Sequence, residues 1–338
     1  MTRPRFLPDD FTLAVIFVVV VASIFPCEGQ VAVAFEWVTN FAIGLLFFLH
    51  GAKLPREAVV AGMRHWRLHL TVMACTFLMF PVLGLLLKPL LLPLVTPELY
   101  LGILFLCVLP STVQSSIVFT AVARGNVAAA IVSASASNLI GIFLTPLLVG
   151  LLVVADSANH SSADSIIRIA LQLLLPFIAG QITRKWIGRW VDRHKSGLKF
   201  IDQGSILLVV YTAFSASVGQ GLWQQLPLRA LGGLFIASAI LLALAIVITT
   251  FVARRLGFNK EDEIAIVFCG SKKSLASGVP MANVLFVSHT VGAIVLPLML
   301  FHQIQLMACA VLAQRYAARL PVGEKKESTL PSSSPELK

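Results

Sequence analysis

The feature that most constrains this chain is a series of hydrophobic segments of about 20 residues that recur along its whole length. A segment of that length crosses the hydrocarbon core of a bilayer as an α-helix. The segments are too long for strands and lack the apolar/polar alternation of an outer-membrane barrel. Only 12% of the residues are charged, whereas soluble domains are nearer a quarter. Ten segments occur, at roughly 11–26, 35–52, 67–92, 99–123, 127–154, 165–183, 199–222, 229–253, 261–286 and 290–314.

This pattern predicts an all-α polytopic membrane protein with ten transmembrane helices. An offset of about 160 residues carries segments 2 to 5 onto segments 7 to 10. Because five is an odd number, the second set of five starts from the opposite side of the membrane, which makes an inverted repeat of the kind found in secondary transporters. We therefore predict one five-helix repeat over residues 1–155, a second over 165–316, and a disordered cytoplasmic tail over 317–338.

The net charge of +10 is a signal of membrane topology. Under alternating topology, Lys88, Arg168 and Arg229 lie on one side, and the other lysines and arginines lie on the opposite side, apart from Lys272 and Lys273 inside segment 9. This asymmetry predicts a multi-pass protein of the plasma or inner membrane with both termini in the cytoplasm.

No nucleic-acid-reading motif, catalytic motif or metal-ligand spacing occurs in the sequence, so we expect neither an enzyme nor a nucleic-acid partner.

Polar residues interrupt two of the hydrophobic segments at corresponding positions. Pro110–Ser116 (PSTVQSS) interrupts segment 4, and Gly270–Ser274 (GSKKS) interrupts segment 9, about 160 residues later. Helix breaks at membrane depth expose backbone groups and the partial charges of helix ends, which suits ion or solute binding. The alternative is a pair of kinks that add flexibility and bind nothing.

At these residues the chain resembles the bile acid:sodium symporter family, and more closely its divergent branch spread through bacteria and animals. The resemblance covers about residues 8–316 and is most specific at LPSTVQSS (109–116), ARGNVAAAIVSASAS (123–137) and IVFCGSKKSLASGVPMAN (266–283). It implies a panel of helices 1, 2, 6 and 7 and a core of helices 3, 4, 5, 8, 9 and 10. Helices 4 and 9 would cross at their breaks, and substrate would bind between panel and core.

The second break departs from the pattern of the sodium-coupled members, which is Glu-x-Gly-x-Gln-Asn. Here Phe268 stands in place of the glutamate, and Lys272 and Lys273 stand in place of the glutamine and the asparagine. A sodium site needs oxygen ligands and usually a negative charge, so the usual pair of sodium sites is not expected here, and no other cofactor or metal is. From the two breaks and the resemblance together, the predicted substrate- or ion-binding residues are Gln114, Ser115, Ser116, Ser133, Ser271, Lys272, Lys273, Ser274 and Asn283.

Three roles remain open for the two adjacent lysines. In the first, an ammonium occupies the place of the bound cation and donates to carbonyls of the broken helices and to Gln114, Ser115 or Ser116. Such a lysine could lose and regain a proton during the cycle, which would make the carrier proton-coupled or uncoupled. In the second, one lysine faces the cavity and pairs with an anionic substrate. In the third, a lysine forms a structural ion pair with Glu36 or Asp202.

Other polar residues of the segments carry weaker signals. His50, Asn138, His302, Gln303 and Gln305 could line the crossing or form interhelical hydrogen bonds. Asn259 is predicted to cap the helix that begins segment 9.

The sequence as a whole predicts a secondary transporter of a small organic solute, expected to be an anion, and the alternative is a non-transporting membrane regulator or scaffold. Substrate identity, coupling ion and oligomeric state do not follow from the sequence.

Overall fold

The structure, a computed structural model, describes residues 10–53, 65–152, 163–286 and 288–318, and every regular element within these ranges is a helix. Most of residues 156–164, which join the two predicted repeats, and most of the predicted tail lie outside the described residues. The helices are α1 (Asp10–Ile24), α2 (Gly29–Lys53), α3 (Trp66–Leu86), α4 (Lys88–Leu91), α5 (Pro97–Val108), α6 (Val113–Val122), α7 (Val127–Leu152), α8 (Ala163–Arg193), α9 (Lys195–Gly219), α10 (Leu222–Gln225), α11 (Leu228–Arg255), α12 (Lys260–Gly270), α13 (Leu275–Leu285) and α14 (Ser288–Ala317).

Six helices of the described ranges are long and apolar enough to cross a bilayer, and they become seven if the bent pair of α5 and α6 forms one span. A shorter apolar stretch, Leu13–Ile24, lies in α1. Large hydrophobic side chains on the outer surface, such as Phe17, Trp37 and Phe41, are exposed as they would be towards lipid. The prediction of an all-α protein with several membrane spans is therefore confirmed, whereas the number ten and the inverted repeat stay predictions.

The helices pack in two groups. In the first group, α2 packs against α8 and α9, and α1 packs against α9; we call these four helices the panel. In the second group, α14 packs against α5, α6, α11 and α13, and α12 packs against α3, α6, α7 and α11. Contact between α9 and α14 joins the groups. The panel contains the helices that the resemblance assigns to it.

Within the panel, the backbones of α2 and α8 touch. A Cβ atom placed on Gly51 would lie 2.1 Å from the carbonyl oxygen of Phe177, and one placed on Gly180 would lie 2.0 Å from that of Phe48. A larger residue at either glycine would therefore collide with rigid backbone. The side chain of Gln181 also donates to the carbonyl of Gly51 at 2.8 Å, which satisfies one of the last carbonyls of α2.

The cytoplasmic end of α12, as the charge pattern predicts it, is held by a cap and an ionic cluster. Asn259 accepts a hydrogen bond from the backbone N–H of Asp262 at 2.8 Å, so the predicted N-cap is confirmed. Glu263 accepts from Lys260 at 2.6 Å and from the hydroxyl of Tyr316 at 3.0 Å. These contacts connect α12 to α14 and hold the N-terminal end of the second broken helix in place.

Candidate functional site

The two breaks lie against each other. The first separates α5 from α6, which are bent by 64° relative to one another, and the second separates α12 from α13. The backbone N–H of Ser274 donates to the carbonyl of Pro110 at 2.9 Å, and the hydroxyl of Thr112 donates to the carbonyl of Lys273 at 2.8 Å. Residues of the two breaks, about 160 positions apart in the sequence, thus hydrogen-bond directly.

Hydroxyl groups of the first break satisfy the carbonyls at the end of α12. Ser116 donates to the carbonyl of Phe268 at 2.9 Å, and Ser111 donates to that of Cys269 at 2.5 Å. The last carbonyls of a helix have no partner within it, and here they are buried, so neutral donors from the crossing chain replace water.

An ammonium group satisfies the carbonyls at the end of α5. Nζ of Lys273 donates to the carbonyls of Cys107, Leu109 and Thr76, each at 2.8 Å. It also lies 4.2 Å from the ring centroid of Phe80. Lys273 is fully buried, and its three donors all have acceptors. Two of the three acceptors belong to the C-terminal end of α5, where the helix dipole favours a cation.

The third acceptor, the carbonyl of Thr76, is available because of a π-helical turn at Cys75–Met79 in α3. In this turn the N–H of Phe80 donates to the carbonyl of Cys75 and not to that of Thr76. The next residue, Pro81, has no N–H. The carbonyl of Thr76 is therefore left without a backbone donor, and it accepts from Lys273.

Gln305 of α14 holds the backbone of Lys273. Its amide oxygen accepts from the N–H of Lys273 at 2.9 Å, and its amide nitrogen donates to the carbonyl of Lys273 at 3.0 Å. The same nitrogen lies 2.8 Å from Nδ1 of His302. Gln305 is fully buried, so this pair of bonds replaces a helix turn that the break has removed.

Lys272 has a different environment although it is adjacent in sequence. It is also fully buried, but Nζ donates to the hydroxyl of Ser115 at 3.1 Å and otherwise faces the rings of Phe119 and Phe268, at 4.2 and 5.8 Å. Neither lysine forms an ion pair within the described ranges. The ion-pair alternative is wrong for Asp202, because that carboxylate pairs with Lys53 of α2.

The remaining predicted site residues do not share one set of contacts. Ser133 lies 2.7 Å from Nδ1 of His69, Ser271 donates back to its own helix at 2.6 Å, and Ser274 caps α13. Asn283 is half-buried near the end of α13 and does not line the cavity described next. Gln114 is exposed to that cavity.

Several residues of the crossing were missed as site residues or left ambiguous by the sequence. Asn138 donates to the carbonyl of Ser111 at 2.7 Å and accepts from the hydroxyl of Ser277 at 2.6 Å, so it connects both breaks. Its place just after the serines of segment 5 was a signal, but an ambiguous one. Ser111 and Phe119 carried no sequence signal beyond their position in or near the first break, and Phe80, in segment 3, carried none.

A cavity of about 980 Å³ lies between the panel and the broken helices. Hydrophobic residues such as Phe47, Phe177 and Leu306 form much of its wall. The titratable side chains that line it in the described ranges are His50, Lys53, Lys199, Asp202 and His302. From the crossing, the polar lining residues are Thr112, Gln114, Ser115, Ser135, Asn138, Ser274, Ser277 and Gln303. The volume is that of a site for a small organic molecule.

Comparison with known proteins identifies the family of the chain. The SBF-like CPA transporter family matches residues 9–318. An uncharacterized protein of Pseudomonas aeruginosa is 70% identical over 319 residues, which cover 94% of this chain and 96% of the relative. YfeH of Escherichia coli, a candidate symporter by its name, is 58% identical over 91% of this chain and 92% of its own. Sodium/bile acid cotransporter 7-B of Xenopus laevis is 29% identical over 91% of each chain.

The match to the family covers nearly the whole described chain and includes both breaks. The family consists of transporters, and the Escherichia coli and Xenopus laevis relatives bear the names of a symporter and a cotransporter, so the protein is not an enzyme, as the sequence predicts. The chain therefore belongs to the SBF-like CPA transporter family, within the bile acid:sodium symporter group.

Proposed function

We propose that the protein is a secondary carrier that moves a small organic anion by alternating access, on a fold of ten transmembrane helices in two inverted repeats of five. The observation that carries the proposal is the contact between two broken helices beside a cavity of about 980 Å³ that separates two helix groups. Broken helices at equivalent positions of two halves are typical of the binding sites of secondary transporters.

The charge of the cavity supports an anionic solute. Two cations, Lys53 and Lys199, line it together with one acid, Asp202, in the described ranges. Because Asp202 is already paired with Lys53, the cavity has an excess of positive charge. An anion with an apolar body would be attracted by this charge and would contact the hydrophobic wall.

The Lys273 ammonium takes the place of a bound cation in this proposal. Three backbone carbonyls converge on one point at the end of a broken helix, which is an arrangement that suits a hard cation as well as an ammonium. With a covalently attached charge already there, the carrier would not need sodium to complete the crossing. We therefore infer that sodium does not drive transport through this position.

The orientation follows from the distribution of lysines and arginines, which favours cytoplasmic termini in the plasma or inner membrane. In that orientation, Lys53, Lys199 and Gln314 lie at cytoplasmic helix ends and line the cavity. The structure then corresponds to an inward-facing state, in which the solute would exchange with the cytoplasm.

The direct test is solute counterflow in proteoliposomes. Liposomes loaded with one unlabelled organic anion are diluted into the same labelled anion, and the series includes small carboxylates, sulfonates and a bile salt. We expect transient accumulation of at least one probe, unchanged when choline replaces sodium. The control is liposomes without protein, which report passive leak of each anion. A well-folded protein that shows no counterflow with any probe would favour the regulator or scaffold.

A further inference from the structure

The two buried lysines differ in how well their charge is stabilised. Lys273 donates three hydrogen bonds to carbonyls. Lys272 donates one, to Ser115, and its other neighbours in the described chain are aromatic ring faces and the thiols of Cys269 and Cys309. An ammonium that leaves water for one hydroxyl and two rings loses more hydration energy than these contacts return. A neutral amine, which can accept a hydrogen bond from Ser115, fits the same surroundings without that cost.

No negative charge faces Lys272 from the helices packed around it in the described ranges. The residues of α6 and α7 include no titratable side chain. On α12 and α14, the thiols of Cys269 and Cys309 face it. On α3, His69 is engaged with Ser133. The acid nearest to it along the chain is Glu263, in the first turn of α12, where it is bonded to Lys260 and Tyr316.

Lys272 lies directly behind the wall of the cavity. Ser115, which accepts its hydrogen bond, lines the cavity, and so does Phe119, whose ring lies 4.2 Å from its Nζ. A single layer of side chains, Ser115 and Phe119, therefore separates the amine from the cavity. An anion placed beside Ser115 would bring a full negative charge close to Lys272 through a medium of low dielectric constant, where such an attraction is strong.

We propose that Lys272 is the switching group of the carrier: it is a neutral amine when the cavity is empty, and it takes up a proton when an organic anion occupies the cavity beside Ser115. The proton comes from the water of the cavity and returns to the aqueous phase when the anion leaves. Anion and proton would then bind together, with one proton for each anion. This inference rests on the proposed function and specifies its coupling ion.

Reductive methylation tests the inference because the reaction consumes neutral amines. Purified protein in detergent is treated with ¹³C-formaldehyde and cyanoborohydride, and each lysine is quantified by mass spectrometry. We expect Lys272 to react about tenfold faster than Lys273 or more, because Lys273 retains its proton through two additional hydrogen bonds. Phe119→Ala should accelerate the reaction of Lys272, whereas Phe143→Ala, at an exposed position of α7, should not.

The second arm adds the probe anion that gives counterflow, or a bile salt if none does. Protonation and occlusion by the anion should slow the methylation of Lys272 and leave that of Lys273 unchanged. If Lys272 reacts no faster than Lys273 in both the wild type and Phe119→Ala, the inference is overturned. Counterflow that persists in that case leaves the carrier function intact, and absent counterflow with fast methylation of Lys272 overturns the carrier function.

Discussion

Lys272 and Lys273 are neighbours in sequence, are equally buried, and lie in the same break, yet their surroundings have opposite characters. Lys273 is surrounded by three backbone carbonyls from two segments of chain, α3 and the end of α5, with the ring of Phe80 on one side. Lys272 is surrounded by aromatic rings and one hydroxyl, next to a cavity. The first arrangement stabilises a permanent ammonium, whereas the second favours an amine that can gain and lose a proton. Four substitutions test this contrast, in decreasing order of expected effect.

The largest effect is expected for Lys273→Met, which keeps the length of the side chain and removes its donors. Three buried carbonyls would lose their partner, so we expect the free energy of unfolding in detergent to fall by about 3–5 kcal/mol. Sodium should recover part of this loss by binding to the carbonyls of Thr76, Cys107 and Leu109, which we call the carbonyl cage, and choline should not. Thermal unfolding in the two salts measures both effects. Equal melting temperatures for the wild type and this variant would contradict a structural ammonium.

Gln305→Leu should have the next largest effect. It removes the side chain that bonds both backbone groups of Lys273. The N–H is then buried without a partner and the carbonyl keeps only the hydroxyl of Thr112, which should cost about 2–3 kcal/mol. Gln303→Leu is the matched control, because Gln303 lies on the same helix and lines the cavity. Thermal unfolding of the two variants should separate them clearly, and a similar loss in both would remove the special role given to Gln305.

Pro81→Ala should cost about 1 kcal/mol. The new N–H can compete with Lys273 for the carbonyl of Thr76, so the cage would lose part of one hydrogen bond. The effect should disappear in a Lys273→Met background, because no ammonium remains to compete. A double-mutant cycle of melting curves measures this coupling. Purely additive losses would mean that the π turn and the cage are independent.

The smallest effect on stability is expected for Lys272→Met, at about 1 kcal/mol or less, because a neutral amine in an aromatic site contributes little that a thioether does not. Its melting temperature should not respond to sodium, since it leaves no group of carbonyls unpaired. A destabilisation as large as that of Lys273→Met would contradict the neutral amine and place both lysines in one structural class.

The contrast also shows which parts of the site could be predicted from sequence. The breaks were predictable, because Pro110 and the polar residues that follow it cannot continue a lipid-facing helix. The ammonium in a cation's place was a hypothesis drawn from Lys272 and Lys273 in a hydrophobic segment. Which lysine takes which environment was not predictable, because it depends on the carbonyl of Thr76.

The role of that carbonyl could not be predicted from the sequence, because every residue has a carbonyl. Its availability depends on the π turn of α3 in which Thr76 lies. Asp202 was considered as a partner for the lysines, but α2 packs on α9 and brings Lys53 into an ion pair with it. Ser133 was assigned to the site by its helix, yet its hydroxyl lies against His69. Local sequence patterns therefore located the crossing, and tertiary packing decided its chemistry.

The contact between α2 and α8 has a mechanical consequence. Where backbones touch at Gly51 and Gly180, a shift of one helix along the other would bring a side chain into rigid backbone. The two helices must then travel as one rigid body, and any change in the width of the cavity must occur elsewhere. Distances between spin labels on α2 and α8 should stay constant during a transport cycle, while those between α2 and α6 change.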